Sequence, residues 1–259
     1  MQKIVCGPDV MKVREQMYSL VSLDHASSIL DIGCGYGNDL FNLGKRCDAN
    51  AKLTGIDSAF KPIEKAREKT QNDPRFAFIH KDIESGLPFE DESFDVVWSC
   101  NLLECIKDKD TLLSEVSRVL KPGGQVVFSH IDWDTQVING TDKQLIRKMV
   151  AAFSDWTQGW MSVSDGWMGR RMAGLFRNHE NFSGEVIPLV LVNENYTPGL
   201  YGYDRIRDFE TMAEEGLISE EDLASFQKDL EKTISGGNYF YSVTMYVFNG
   251  EKVRHPDKS

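Results

Sequence analysis

Asp31-Ile32-Gly33-Cys34-Gly35-Tyr36-Gly37 decides how this chain is read. Glycine at three alternate positions, directly after the apolar run Ser28-Ile29-Leu30-Asp31-Ile32, predicts a tight strand-to-helix turn. Backbone amides there can approach a ligand that a Cβ would block, so the turn reads as a cofactor cradle. Outward from it, the pattern predicts a helix over Asn38 to Lys45, a strand over Lys52 to Ile56, and a helix over Pro62 to Thr70 with proline near its first turn. Strands follow at Phe76 to His80 and Phe94 to Ser99, then a helix from about Asp108 to Leu120 and a strand at Gln125 to Ser129. Apolar strands separated by helices predict a parallel sheet covered on both faces, a doubly wound α/β core.

The same turn geometry serves two cofactor classes. A dinucleotide fingerprint places its third glycine at position 38, where this chain has Asn38. Asp31 would repel a pyrophosphate, yet its carboxylate can receive, directly or through water, the ammonium of the methionine part of S-adenosylmethionine. Asp57 follows the second strand, where a carboxylate can accept from both ribose hydroxyls. Asp82 follows the third and can accept from an adenine amino group while the Ile83 amide meets the ring. One cofactor touches all three, and NAD is disfavoured.

These residues carry a resemblance. Asp31 to Gly37, Asp57, Asp82, Phe94-Asp95-Val96-Val97-Trp98 and Leu120-Lys121-Pro122-Gly123-Gly124 stand in the order of class I S-adenosylmethionine-dependent methyltransferases. The chain is similar to the group of ubiquinone and menaquinone biosynthesis C-methyltransferases, over about Ile29 to Ile131. That resemblance implies that Asp31, Gly33 and Gly35 hold the methionine part, Asp57 the ribose, and Asp82 and Ile83 the adenine. Cys100, Asn101 and Leu102 line the cofactor, and Cys34 and Ser58 stand with the cofactor-binding positions. It further implies a Rossmann-like seven-stranded sheet with Tyr239 to Phe248 as an antiparallel last strand. The expected organisation is an N-terminal helical cap (1–27), a cofactor-binding core (28–135), helical insertions with the sixth strand forming a substrate cap (136–238), and the last strand and a frayed tail (239–259).

Methyl transfer from a sulfonium has a good leaving group, so alignment and desolvation can supply most of the rate and a base is needed only for a protonated acceptor. Ligands bind beyond the carboxyl ends of the strands in such sheets, which points to His130, Ile131, Asp132 and Trp133. An unperturbed histidine titrates near neutrality, so His130 is the candidate base, with Asp132 orienting a substrate or an imidazole. A structural histidine and a turn-capping Asp132 are the alternatives. The segment from about Asp142 to Phe176 holds Trp156, Trp160, Met161, Trp167, Met168, Met172 and Phe176, suited to an apolar acceptor pocket or to ordinary core. Trp133, Trp160 and Trp167 are the acceptor-facing candidates, and Arg170 could meet an acidic group of the acceptor. Further along, Ser219 to Asp222 resembles a capping box, with Leu223, Phe226, Leu230 and Ile234 as the buried stripe. Near the start, Val13, Met17, Leu20 and Val21 share one helical face.

Composition bounds the partners. The 259 residues carry a net charge of -11 with 29 Lys and Arg and no basic run, so nucleic acid is a poor expectation. The five cysteines, Cys6, Cys34, Cys47, Cys100 and Cys105, form no CxxC pair, so no metal site is expected; Cys34 and Cys100 read as packing residues rather than nucleophiles. No apolar run reaches membrane-spanning length and Met1 to Leu20 lacks a signal-peptide core, which predicts a cytoplasmic protein with no membrane span. The leading expectation is methyl transfer to a small, partly apolar metabolite. A peptide or protein acceptor and a non-catalytic S-adenosylmethionine binder remain as alternatives, and the acceptor atom and oligomeric state are left open.

Overall fold

The computed structural model describes residues 7–24 and 26–254. Cys6 and the end of the expected frayed tail lie outside them. In chain order the elements are α1 (Pro8–Tyr18), β1 (Ser28–Ile32), α2 (Asn38–Gly44), β2 (Lys52–Asp57), α3 (Phe60–Thr70), β3 (Phe76–His80), β4 (Phe94–Cys100) and α4 (Lys109–Val119). Then come β5 (Leu120–Ile138), α5 (Lys143–Ser154), α6 (Met168–Asn178), β6 (Phe182–Asn193), α7 (Tyr201–Glu214), α8 (Glu220–Ser235) and β7 (Tyr241–Lys252). The seven strands form one mixed sheet in the order β3-β2-β1-β4-β5-β7-β6, with the last strands antiparallel. The pairs β1–β2, β1–β4, β2–β3 and β4–β5 are parallel.

The chain divides into two compact units. One comprises residues 17–130, 171–187 and 247–259. Its centre is β1, buried at all five residues, as a strand covered on both faces must be. Ile29, Leu30, Ile32, Leu53, Ile56, Val97, Trp98, Val126 and Val127 exclude solvent almost completely. Tyr18, just after the apolar stripe of α1, lies against Trp98 with ring centroids 5.6 Å apart and donates to Asp39 Oδ1 at 2.6 Å. The end of the first helix is thereby anchored.

At the amino-terminal ends of the strands Asp95 does the tying. Its Oδ2 accepts from the amides of Ser27 (3.0 Å) and Ser28 (2.9 Å) and from both hydroxyls, while Lys121 donates to Oδ1 at 2.7 Å. Burial alone would raise this carboxyl, but the bonds from Lys121, Ser27 and Ser28 outweigh it and hold it at about 2. A depressed folded value means that the stabilisation is complete above the unfolded value of about 4 and is lost as pH falls toward 2. Glu115, held at about 2 mainly by its bond to Arg118, acts in the same window. Urea midpoints measured from pH 5 to pH 2 are expected to fall less steeply in Asp95→Asn than in the wild type, with Glu115 supplying the residual slope. Parallel midpoint curves would refute the assignment.

The other unit comprises residues 1–16, 131–170 and 188–246. Phe153 of α5, Phe209 of α7 and Phe226 of α8 meet edge to face at 5.9 and 5.1 Å and form its centre. Asp142 caps α5 through the amides of Gln144 and Leu145, and Ser219 caps α8 through the amide of Asp222, the expected capping box. Phe226 and Leu230 are buried as expected, but Ile234 is exposed because it falls in the last turn of α8. α7 has no cap of its own at Leu200; Asp9 from α1 accepts from the Tyr201 amide at 2.8 Å instead. The same carboxylate oxygen accepts from Asn193 Nδ2, and Asn193 Oδ1 accepts from the Gly202 amide.

β5 is far longer than the sequence predicts. It starts at Leu120 and continues to Ile138, so Trp133 is a strand residue.

Candidate functional site

The turn after β1 is held by backbone geometry. The amides of Gly33 and Cys34 donate to the Ile56 carbonyl at 2.8 and 3.1 Å, and the Gly37 amide donates to the Cys34 carbonyl at 2.8 Å. Gly33, Gly35 and Gly37 all adopt left-handed φ, of 73°, 50° and 66°. Their surroundings differ. A Cβ on Gly33 would come within 2.9 Å of Leu102, and one on Gly37 would come within 2.7 Å of the Phe78 ring and 3.2 Å of Ala66. A Cβ on Gly35 would meet nothing within 4 Å. Gly37 therefore serves close packing at the start of α2, the task a dinucleotide fingerprint gives to position 38, and Gly35 alone leaves its face open. Asn38 turns its side chain outward to accept from Lys69 at 2.8 Å.

Asp57 closes the second strand and braces the turn. Its Oδ2 accepts from the Gly35 amide and its Oδ1 from the Ala59 amide, both at 2.8 Å. A carboxylate offers about four lone-pair directions, so capacity remains for two ligand hydroxyls. Ser58, the next residue, is exposed, and its carbonyl bonds His80 Nε2 at 3.0 Å. Asp82 caps the short 3-10 turn Ile83–Ser85 by accepting from the Glu84 amide at 3.0 Å. Its carboxylate is exposed, while Ile83 is buried. Asp31 is buried within β1, level with Gly55 and Trp98.

Burial, then the charges of Asp31 and Asp57, push the Cys34 thiol far above its ordinary value, so it stays protonated and packs. After β4, Asn101 takes a left-handed φ of 54°, a conformation asparagine tolerates, and its amide donates to the Ser129 carbonyl at 2.9 Å. The bend starts at Cys100, whose side chain is half-buried, and lays Leu102 over Gly33. Asp31, Gly33, Cys34, Gly35, Asp57, Ser58, Asp82, Ile83, Cys100, Asn101 and Leu102 thus stand at the carboxyl ends of four adjacent parallel strands of one unit. Gly35 meets Asp57 directly and Gly33 meets Leu102.

The residues expected to act on the acceptor fall differently. His130 is fully buried, and the buried Glu104 faces its Nε2 at 3.8 Å. Asp132 is fully buried and forms a two-point pair with Arg170: Nε to Oδ2 at 2.6 Å and Nη2 to Oδ1 at 2.5 Å. It also accepts from the Arg170 amide at 3.0 Å, so it caps the start of α6. Gly169 lies so close that a Cβ there would come within 2.7 Å of Asp132 Cβ. The Arg170 guanidinium reaches Asp134 at 3.5 Å and lies 4.6 Å from the Trp167 ring centroid. Asp132 was expected to orient a substrate or an imidazole, or to cap a turn, and Arg170 to meet an acidic group of the acceptor; the structure joins them as an ion pair, because a buried carboxylate needs a partner.

Removing the arginine would strand that buried charge. Arg170→Ala is expected to cost about 3 kcal/mol or more, and Asp132→Ala less, because an exposed guanidinium can return to water. Urea unfolding of both variants checks the order, and equal losses would refute it.

Of the tryptophans, Trp156 is buried, donates to Glu215 at 2.8 Å and packs on Phe153. Met168, Met172 and Phe176 are likewise core. Trp133 is half-buried, 5.1 Å from Phe153. Trp160 and Trp167 are 59% and 42% exposed. Among the described residues no helix is long and apolar enough to cross a membrane, and no group of three or more His, Cys, Asp and Glu could hold a metal ion.

The parallel strands β3-β2-β1-β4-β5, carrying a glycine turn with one open face and flanked by acids at successive strand ends, resemble a class I methyltransferase core. Residues 30–128 match the family described as methyltransferase domain. An uncharacterized 37.1 kDa protein in a transposon of Streptomyces fradiae is 32% identical over 224 residues, 85% of this chain and 61% of that protein. The 2-methyl-6-phytyl-1,4-hydroquinone methyltransferase of Synechocystis is 34% identical over 151 residues, 56% of this chain and 46% of that enzyme. The chain therefore spans only about half to three fifths of these curated relatives. The fold matches the solved YcgJ protein of Bacillus subtilis with a TM-score of 0.60 at 16% identity, over 95% of this chain and 100% of that one. Over residues 30–128 the chain carries a methyltransferase domain, of the S-adenosylmethionine-dependent kind that its fold and site resemble.

Proposed function

We propose that this protein transfers the methyl group of S-adenosylmethionine to a small, partly apolar metabolite by in-line substitution. The observation that carries the reading is the open face of Gly35, whose amide is braced by Asp57. A cradle that a Cβ would fill, beside a carboxylate with spare acceptor capacity, fits the nucleoside end of that donor. In this reading Asp57 receives the ribose hydroxyls, Asp31 the ammonium, and Asp82 and Ile83 the adenine, with Cys100, Asn101 and Leu102 along its flank and Cys34 and Ser58 beside them. The bound donor supplies an electrophilic methyl carbon with a neutral thioether as leaving group. The chain's own contribution is to align, to exclude water and to accept a proton where the acceptor carries one.

Large exposed aromatic side chains are uncommon on a protein surface, so Trp160 and Trp167, together with the half-buried Trp133, support an acceptor with an apolar body. Arg170, braced by Asp132, fixes the Trp167 ring. The hydroquinone methyltransferase among the relatives favours a phenolic acceptor class.

Isothermal titration with S-adenosylmethionine and with NAD tests the donor, and NAD binding alone would overturn the reading. Labelled donor is then offered with methylhydroquinone, a prenylated hydroquinone, a peptide mixture and a cell extract. Label in the hydroquinones is expected; label only in peptides would move the acceptor to a protein, and donor binding with no labelled product would leave a non-catalytic binder.

A further inference from the structure

We propose, resting on the donor reading above, that Phe60 is the side chain on which the donor's adenine ring stacks. Ile63, Ala66 and Thr70 are the buried stripe of α3, and one turn before Ile63 the same helix face comes round to Phe60. The spacing is that of a core residue, yet Phe60 is 52% exposed. Its placement explains the difference. β2 ends at Asp57 and α3 begins at Phe60, so the first turn of the helix lies past the carboxyl end of the strand rather than over the sheet. In open α/β sheets that is the edge at which ligands bind. An apolar ring thus stands open to water beside the carboxylate proposed for the ribose.

Two contacts fix the ring. The Ala59 amide donates to Asp57 Oδ1 at 2.8 Å, which sets the entry to α3 relative to that carboxylate. His80, in register with Asp57 at the end of β3, donates from Nε2 to the Ser58 carbonyl at 3.0 Å and meets the Phe60 ring at 70°, with centroids 5.4 Å apart. An edge contact of this kind engages at most one face of the Phe60 ring, so a flat face is left for a ligand. Ser58, directly after Asp57, has only a hydroxymethyl group and offers no such surface. Asp82 and Ile83 follow closely on His80 along the chain. One nucleoside can therefore present its ribose hydroxyls to Asp57, its amino edge to Asp82 and a ring face to Phe60. Stacking removes both flat apolar surfaces from water and suits any base, because every base has a π-face. Asp57, Phe60, His80 and Asp82 all belong to one unit.

The test titrates the full chain with S-adenosylhomocysteine and with S-ribosylhomocysteine, which keeps the sugar and the amino acid but has no base. In Phe60→Ala the affinity for S-adenosylhomocysteine is expected to fall about tenfold or more, the scale of one base stacked on one aromatic ring, while that for S-ribosylhomocysteine stays at the wild-type value. Phe60→Tyr should bind both ligands as the wild type does. Phe60→Leu keeps apolar bulk without a flat ring, so its affinity for S-adenosylhomocysteine should lie closer to the alanine variant than to the wild type. The adenine H2 and H8 resonances of bound S-adenosylhomocysteine supply a second readout: the ring face shifts them upfield in the wild type, and the shift shrinks in Phe60→Ala. Where the base-free ligand binds too weakly to titrate, the resonances decide alone. Equal losses for the two ligands would make Phe60 merely structural and overturn the inference. Undiminished S-adenosylhomocysteine affinity in Phe60→Ala, or an upfield shift that survives the substitution, would overturn it too. Failure of the wild type to bind S-adenosylhomocysteine would instead sink the donor reading.

Discussion

Asp57→Ala is expected to weaken S-adenosylmethionine binding by roughly 100-fold or more, read by isothermal titration, because it removes two charge-assisted hydrogen bonds worth about 1.5–3 kcal/mol each. The effect exceeds the lost ligand contacts. Asp57 also holds the Gly35 amide and the Ala59 amide, so without it the turn and the start of α3 lose their common anchor. Asp57→Asn separates the two contributions. The amide keeps one acceptor oxygen, so it preserves part of the brace while discarding the charge. Its affinity should fall between those of the wild type and the alanine variant. Unchanged binding in Asp57→Ala would remove Asp57 from the donor site altogether.

Two glycines only one residue apart are expected to answer the same substitution in opposite ways. Gly37→Ala places a methyl group within 2.7 Å of the Phe78 ring and near Ala66, at a left-handed φ of 66°. The backbone alone costs about 1–2 kcal/mol and overpacking a further 1–3, which together threaten the unit's stability. Gly35→Ala carries a similar backbone cost but no clash, so it should fold with a modest loss. Its methyl group occupies the open face of the cradle, and donor affinity should drop at least tenfold. Thermal unfolding and titration on both variants decide the point. A Gly37→Ala protein of wild-type stability, or a Gly35→Ala protein of wild-type affinity, would show that packing and binding are not divided in this way.

The central sheet was legible because β1 and β4 are buried on both faces and appear as apolar runs between helices, and β2 and β3 repeat the strand-then-helix spacing beside them. β1 and β3 have the predicted ends. β5 was not, for two reasons. Leu120 to Gly124 looks like a turn, and Gly123 does adopt a left-handed φ of 76°, yet pairing to β4 continues across a register shift between Phe94 and Val96. Past Ser129 the strand carries the polar His130 and Asp132, which the sequence offers as strand-end site residues; both are buried on the face of Phe128, with Glu104 and Arg170, remote in sequence, facing them. α7 escaped separate recognition for a similar reason: the acid that caps it is Asp9 of α1, so no capping residue precedes Tyr201. That the residues expected at the donor would gather on one edge was readable since each stands at a strand end in a fixed order. Acceptor-side roles were not, because they depend on such long-range pairs.

The amino-terminal and carboxyl ends of the strands carry different burdens. Asp95 ties Ser27, Ser28 and Lys121 at one end, while Gly35, Asp57 and Asn101 sit at the other. Descendants of this sequence can therefore revise exposed positions in the turns at the carboxyl ends, while the strand order stays pinned from behind. Diversification within the lineage should concentrate at the exposed Glu84 and Ser85 after β3 and avoid Asp95. A library randomised at those two places, sorted first for folding and then for methyl transfer, would recover many folded sequences from the first and few from the second.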